Sequence, residues 1–256
     1  MNKFLKLSDA IDPVSQSRVD LAAAYRLIAH FGLEDSIFTH ISARAPTGDD
    51  HFLINPYGLR FGEVTASNLV TADHDGKVID DPYGAGINAA GYTIHSAIHA
   101  ARPDVSCVLH THTIAGVAVS CQEDGLLPIN QWALQFYDRI AFHDYEGIAL
   151  DLSERERLVA DLGDRKVMIL RNHGLLTCGR SVGEAFKLMY NLERSCQVQI
   201  ALQSSGAKMR FPSEEICERT ARQYERWDGD DFANRPDPEW DAYLRLIREK
   251  QPDFEN

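Results

Sequence analysis

Lys166-Val-Met-Ile-Leu-Arg171 sets four consecutive apolar residues between two cations. A continuous apolar run this short, bounded by polar residues, reads as a strand. Other strands accompany it. Ile37–Arg44 is rich in β-branched residues and alternates. A polar turn from Pro46 to Asp50 separates it from Phe52-Leu-Ile-Asn55, which predicts a hairpin. Asp75-Gly76, between Leu69–Ala72 and Lys77–Asp80, predicts a second hairpin. Val105–Thr111 is a further strand.

Helices lie between these strands. Val19, Ala22, Ala23 and Leu27 recur at helical spacing over Ser15–Ala29, with Ser15 or Ser17 as cap and Gly32 as stop. Asn88–Ala101 also reads as helix. Thr113–Ser120, small and apolar, predicts a buried one. Ser153 with Glu156, and Ser181 with Glu184, are capping boxes. The second opens a long helix to about Gln203, striped by Ala185, Phe186, Met189, Leu192, Cys196 and Ile200. Residues 206–237 are polar and contain Pro212, Pro236 and a Gly229-Asp-Asp run. A helix follows at Pro238–Lys250, with Trp240, Tyr243, Leu244 and Ile247 on one docking face. With no repeat or obvious linker, the reading is one α/β domain, 1–205. An extension, 206–256, packs on that domain or on a neighbouring subunit.

The formal charge of −12 repels phosphate backbones and anionic lipid, so neither nucleic acid nor membrane is an expected partner. No stretch approaches the ~18 apolar residues of a membrane span. The apolar run in MNKFLKLSDAIDP is too short for a signal peptide. The five cysteines are odd in number, scattered and free of any CxxC pair. They point to free thiols in the cytoplasm.

Ten histidines raise the question of which converge on a metal. His110 and His112, two apart on a strand, share a face about 7 Å apart along the chain. His173 follows the apolar strand and precedes Gly174, where α/β sites form. His95 and His99 are four apart on a helix, a ligand spacing, but Ser-Ala-Ile between them supplies no Glu as base. That pair reads as a helix face near the core. His30, His51 and His74 read as solvated ends or turns, and His143 as structural. His40, beside Thr39 and Ser42, reads as lining a pocket.

Four motifs occur in order: Thr39-His-Ile-Ser42, Leu53-Ile-Asn-Pro-Tyr-Gly58, Ala101-Arg-Pro-Asp-Val-Ser-Cys-Val-Leu-His-Thr-His112 and Leu170-Arg-Asn-His-Gly-Leu175. From about residue 17 to 205 the chain resembles the class II aldolase/adducin family. Phe142-His-Asp-Tyr-Glu-Gly147 and Glu239-Trp-Asp-Ala-Tyr-Leu resemble its adducin-like branch. The resemblance implies a mostly antiparallel central sheet flanked by helices, and often a fourfold-symmetric homotetramer with sites between subunits. It also implies one divalent metal per chain, usually zinc. Matched motif by motif, the ligands are His110, His112 and His173.

The departures bear on chemistry. Sugar-phosphate aldolases of the family carry Ser-Ser-Glu before the helix leading to the HxH strand. Those serines help hold phosphate, and the Glu is both ligand and acid/base. Here that stretch is Ala89-Ala90-Gly91, and Thr39-His40 replaces a Gly-Asn pair that also helps hold phosphate. An unphosphorylated substrate and another proton donor follow. By position in the motifs, His40, Gln131 and Tyr137 are the donor candidates, and Asn55, Tyr57, Gly58 and Gly91 line the substrate pocket. Tyr57 either closes that pocket or simply packs.

Three neutral histidines leave the metal its charge and open positions. The expected activity is a metal-dependent carbon–carbon lyase, of aldolase or decarboxylase type, on a small carbonyl or hydroxy acid. Manganese or Fe(II) are alternative ions, and Fe(II) would suit an oxygenase. The non-enzymatic alternative is an adducin-like interaction module.

Overall fold

A computed structural model describes residues 12–46, 50–148, 153–227 and 237–256. The N-terminal apolar run, part of the Pro46–Asp50 turn and the Gly229-Asp-Asp run lie outside them. The strands are β1 (His40–Arg44), β2 (His51–Ile54), β3 (Val70–Asp73), β4 (Val78–Asp80), β5 (Cys107–Thr111), β6 (Ile140–His143), β7 (Val167–Leu170) and β8 (Gly174–Gly179). They form one sheet in the order β4-β3-β2-β1-β5-β8-β7-β6. Every neighbouring pair is antiparallel except β6 with β7. The helices are α1 (Pro13–His30), α2 (Ala89–Ala101), α3 (Ile114–Ser120), α4 (Gln131–Leu134), α5 (Glu154–Leu162), α6 (Val182–Ser205), α7 (Glu214–Trp227) and α8 (Pro238–Lys250). The mostly antiparallel α/β fold expected from the sequence is the fold observed.

Both faces of the sheet are covered, which explains the unbroken apolar run of β7. Val167 and Ile169 enter the larger core with Leu27 of α1, Phe186 of α6 and Ile247 of α8. Met168 and Leu170 enter a second core with Ile94 and Ile98 of α2 and Leu158 and Leu162 of α5. A strand buried on both faces has no polar alternation. Each such side chain contributes about 1.5–3 kcal/mol relative to exposure.

The same alternation positions the histidines. On β5, Cys107 and Leu109 face the larger core, while Val108 faces the α2 side. His110, two residues beyond Val108, shares that α2 face. His40 pairs with His110 in the antiparallel register, and Ser42 pairs with Val108. The polar face of β1 therefore meets α2.

Several local expectations are corrected. Asp12, rather than Ser15 or Ser17, caps α1, accepting from the Ser15 N–H at 3.3 Å. Pro13 follows it at the first turn, where its missing N–H costs nothing. β1 starts at His40, not Ile37. Ser36 and Thr39 have φ of 50° and 63°, and an Asp35–Phe38 bridge makes the segment a turn. α3 is buried only through Gly116, Val119 and Ser120, and Ile114 is 91% exposed. Ser153 takes helical angles at the start of α5, and its side chain does not cap. Ser181 does cap α6, but the Glu184 carboxylate accepts from the Arg180 N–H at 2.6 Å rather than from Ser181.

The stretch after residue 206, expected only to be polar, contains a helix, α7, with Ile216, Cys217, Ala221 and Tyr224 at helical spacing. Cys217 and Ala221 are its buried residues among those described. α8 docks through Trp240, Leu244 and Ile247. The chain end is tied to the same body: Ala66 N–H bonds Phe254 O at 2.9 Å and Ser67 N–H bonds Asn256 O at 2.8 Å. No helix of the described residues is long and apolar enough to cross a membrane.

Candidate metal centre

His110 stands near the end of β5, and His112 follows just after it. His173 lies in the tight turn between β7 and β8. Asn172 adopts φ of 56° there, and a Cβ on Gly174 would meet the Thr111 carbonyl at 2.4 Å. Glycine is what allows this turn to close against β5. The three rings converge. Ring centroids are 4.6 Å apart for His110–His112 and 4.8 Å for each ring with His173. One nitrogen from each lies within 4.8 Å of the others.

The outer nitrogens determine which inner ones are free. His110 Nδ1 faces the Leu175 carbonyl at 2.9 Å, so it carries the proton and donates. His112 Nδ1 faces Asp35 Oδ2 at 3.0 Å and donates likewise. Both Nε2 atoms are then bare lone pairs, 2.8 Å apart. Two lone pairs at that distance repel unless a cation lies against both. Burial, then the neighbouring His173, His112 and His40 rings, hold His110 well below the usual histidine range. Burial, followed by His112 and His143, lowers His173 to about 4. Imidazoles backed by a carbonyl and a carboxylate form a donor set that fits a divalent ion at about 2.0–2.1 Å.

Asp35 escaped the sequence reading. It sits in the turn before β1, at no fixed spacing from the HxH pair. Tyr145 also escaped it. Its ring lies 6.3 Å from His173 and is 53% exposed. His143 is buried between Asp161 at 2.7 Å and Glu154 at 3.3 Å, a structural position behind His173.

His40 neighbours the triad, its ring centroid 5.3 Å from that of His110. Its Cδ2–Nε2 edge occupies the space over Gly91: a Cβ there would lie 2.4 Å from Cδ2 and 2.8 Å from Nε2. Its Nδ1 is 2.8 Å from His95 Nε2. Ser42 Oγ lies 2.6 Å from His95 Nδ1 and 2.7 Å from His99 Nε2. His95 and His99 therefore address Ser42 and His40 rather than the triad.

The remaining candidates are placed elsewhere. Asn55 is buried, its Oδ1 2.8 Å from the Tyr25 hydroxyl, which also accepts from the Ile41 and Asn55 N–H groups. Tyr57 is 43% exposed, and Gly58 has φ of 93°. Gln131 opens α4 and lines a cavity of about 520 Å³ with Lys187, Asn191 and Tyr224. Tyr137 faces α7: partial burial and then Glu214, Cys217, Asp138 and Glu218 raise its hydroxyl pKa. α4 packs on α6 and α7, across the sheet from the α2 face that carries His40 and His110. The structure thus gathers His40 and Gly91 around the triad and leaves Gln131 and Tyr137 apart from the triad of their own chain.

Residues 19–200 match the family described as Class II Aldolase and Adducin N-terminal domain. A solved aldolase II superfamily protein from Pseudomonas syringae is similar, with a TM-score of 0.90 and 54% identity over 97% of this chain and 98% of that one. The L-fuculose 1-phosphate aldolase of Glaciozyma antarctica gives a TM-score of 0.82 at 29% identity, covering 95% of this chain and 92% of its own. Alpha-adducin of Mus musculus is 47% identical over 192 residues, which span 74% of this chain but 26% of the adducin.

Proposed function

This chain belongs to the class II aldolase and adducin family, and on that footing we propose that it is a divalent-metal-dependent carbon–carbon lyase. The proposed substrate is a small, non-phosphorylated carbonyl compound or hydroxy acid, and the reaction is of aldolase or decarboxylase type. The observation that carries this reading is the convergence of His110, His112 and His173 with bare nitrogens turned inward. Zinc is the ion first expected; Fe(II) suits the same imidazoles, and manganese, which prefers oxygen ligands, is the weaker alternative. When bound, such an ion polarises a carbonyl and stabilises an enolate.

The chain's own residues supply the rest. Asp35 and the Leu175 carbonyl orient His112 and His110. His40, with its Nε2 edge over Gly91, holds or accepts the proton that a carbanion or alkoxide exchanges. Gly91 offers no carboxylate, so a reaction that needs no carbinol deprotonation, such as decarboxylation beside a carbonyl, suits the site best. Gln131 and Tyr137, placed apart from the triad of their own chain, leave His40 as the proton donor of this reading. The free cysteines, four of the five buried, fit the reducing cytoplasm.

Two observations support second readings. The identity with alpha-adducin favours a non-catalytic interaction module of the same fold. An all-imidazole triad equally suits an Fe(II) oxygenase. The test is turnover by the metal-loaded protein of a panel of 2-hydroxy and 2-oxo acids beside ketose 1-phosphates. Cleavage or CO₂ release from the unphosphorylated acids alone is the expected result. Robust turnover of a ketose 1-phosphate, as the name of the Glaciozyma antarctica protein would lead one to try, contradicts the assigned substrate class. Oxygen consumption by the iron form contradicts the lyase.

A further inference from the structure

Behind the triad, His40, His95, Ser42 and His99 form a continuous buried line. Its links are 2.8 Å from His40 Nδ1 to His95 Nε2, 2.6 Å from His95 Nδ1 to Ser42 Oγ, and 2.7 Å from Ser42 Oγ to His99 Nε2. His40 and Ser42 are two apart on β1, and His95 and His99 are four apart on α2. Strand and helix periodicity therefore bring all four onto one seam. All four are at most 4% exposed. At the inner end, His40 Nε2 faces Gly91 beside His110. At the outer end, His99 Nδ1 is buried without a hydrogen-bond partner among the described residues. The ring of His74 lies parallel to His99 within 5° at 6.5 Å, and its Nε2 is likewise buried and unpartnered. A water between the two would join the line to the half-buried His74.

Hydrogen counting restricts what this line can do. Ser42 has one hydroxyl proton, so it donates to one ring and accepts from the other. If Ser42 donates to His95 Nδ1, His95 donates from Nε2 to His40 Nδ1, and His40 carries its proton on Nε2. His99 then donates to Ser42 from Nε2, and its Nδ1 is bare. If Ser42 donates to His99 Nε2 instead, every ring reverses. His95 donates to Ser42 from Nδ1, His40 donates to His95 from Nδ1, and His40 Nε2 becomes a bare lone pair, while His99 carries its proton on Nδ1. These two arrangements are the ones in which every proton inside the line has an acceptor within it.

We propose that Ser42 couples His40, His95 and His99 into a proton wire with two concerted neutral tautomeric states, which makes His40 an acid in one and a base in the other. This deepens the lyase reading and rests on it for its use. Passing from the first state to the second delivers one proton from His40 Nε2 to a carbanion or alkoxide of the substrate and takes one up at His99 Nδ1 from solvent water entering on the His74 side. Proton number in the wire and net charge are unchanged, and the reverse step resets it. The wire thus replaces a carboxylate acid/base without burying a charge. Burial keeps the rings neutral: it holds His40 and His95 well below the usual histidine range and lowers His99 to about 3. Ser42 and His95 are positioning residues for His40.

The test is the ¹⁵N spectrum of ring-labelled histidines in the full-length protein at neutral pH, without metal or substrate. Each ring is assigned by loss of its signal in a single-histidine variant. In the unsubstituted protein, His40 and His95 should each average between the two neutral tautomers. In Ser42→Ala the averaging at both rings should be lost together, leaving one tautomer each. Ser42→Thr, which keeps the hydroxyl on a strand, should restore it. Fixed single tautomers at His40 and His95 in the unsubstituted protein, or an imidazolium in the line, would overturn the proposal. Those spectra decide the matter even if Ser42→Ala fails to fold. Because no metal is used, a failure of the lyase reading would show in metal content and turnover while leaving this result intact.

Discussion

A Cβ on Gly91 would lie 2.4 Å from Cδ2 of His40. The ring of one residue thus fills the space that the other's missing side chain leaves, and the two positions are mutually dependent. Gly91→Ala should drive the imidazole off its 2.8 Å bond to His95. Overpacking of a buried site costs about 1–3 kcal/mol. The urea midpoint should fall accordingly, with metal content retained because the triad is untouched. An unchanged midpoint would mean that His40 does not occupy that space.

His40 itself should matter to chemistry and little to metal binding. His40→Ala should lower turnover of a lyase substrate by about 10²–10⁴-fold, the range for a positioned acid or base. Metal stoichiometry should stay as it is. Paired kinetics and metal analysis check this, and loss of metal in this variant would move His40 into the ligand set.

Asp35 is a half-exposed surface carboxylate with one visible task, holding the Nδ1 proton of His112. Asp35→Asn should weaken metal binding by about 10–100-fold. The melting temperature of the metal-free protein should barely change. Titration against a competing chelator measures the first and a thermal scan the second.

The buried histidines also predict how stability responds to acid. His173 is lowered to about 4 and His99 to about 3, and His40, His95 and His110 lie well below the usual range. Between about pH 6.5 and those values the unfolded chain binds protons that the folded chain refuses. Stability of the metal-free protein should therefore be flat above about pH 7 and fall steadily from about pH 6.5 to 4. Each participating ring adds a slope on the order of 1.4 kcal/mol per pH unit. Urea midpoints across that range check the sign, and a rise in stability on acidification would contradict it.

Much of this architecture could be read from the sequence because burial imposes period. The apolar run of β7 announces two covered faces, and the HxH spacing on and just beyond β5 puts two imidazoles together. Trp240, Leu244 and Ile247 mark α8 through its docked face. α7 was less legible: Ile216, Cys217, Ala221 and Tyr224 do recur at helical spacing, but they form a thin stripe in a segment otherwise made mostly of charged and polar residues, and of them only Cys217 and Ala221 are buried among the described residues. Asp35 was not legible for another reason. The positive φ values of Ser36 and Thr39 bend the chain so that a turn carboxylate reaches His112, and no local spacing encodes that. The His95–His99 spacing correctly signalled a shared face. Its partner, Ser42, lies on a strand more than fifty positions away, and pairing across elements is what a single sequence conceals.

The most direct test of the account is elemental analysis of the protein purified without added metal, beside the His110→Ala, His112→Ala, His173→Ala triple variant. The unsubstituted protein should hold about one zinc, manganese or iron per chain, as one triad per chain requires, and the variant should lose it while keeping the fold by circular dichroism. Metal in neither protein, with no uptake on titration, would contradict it and favour the interaction module.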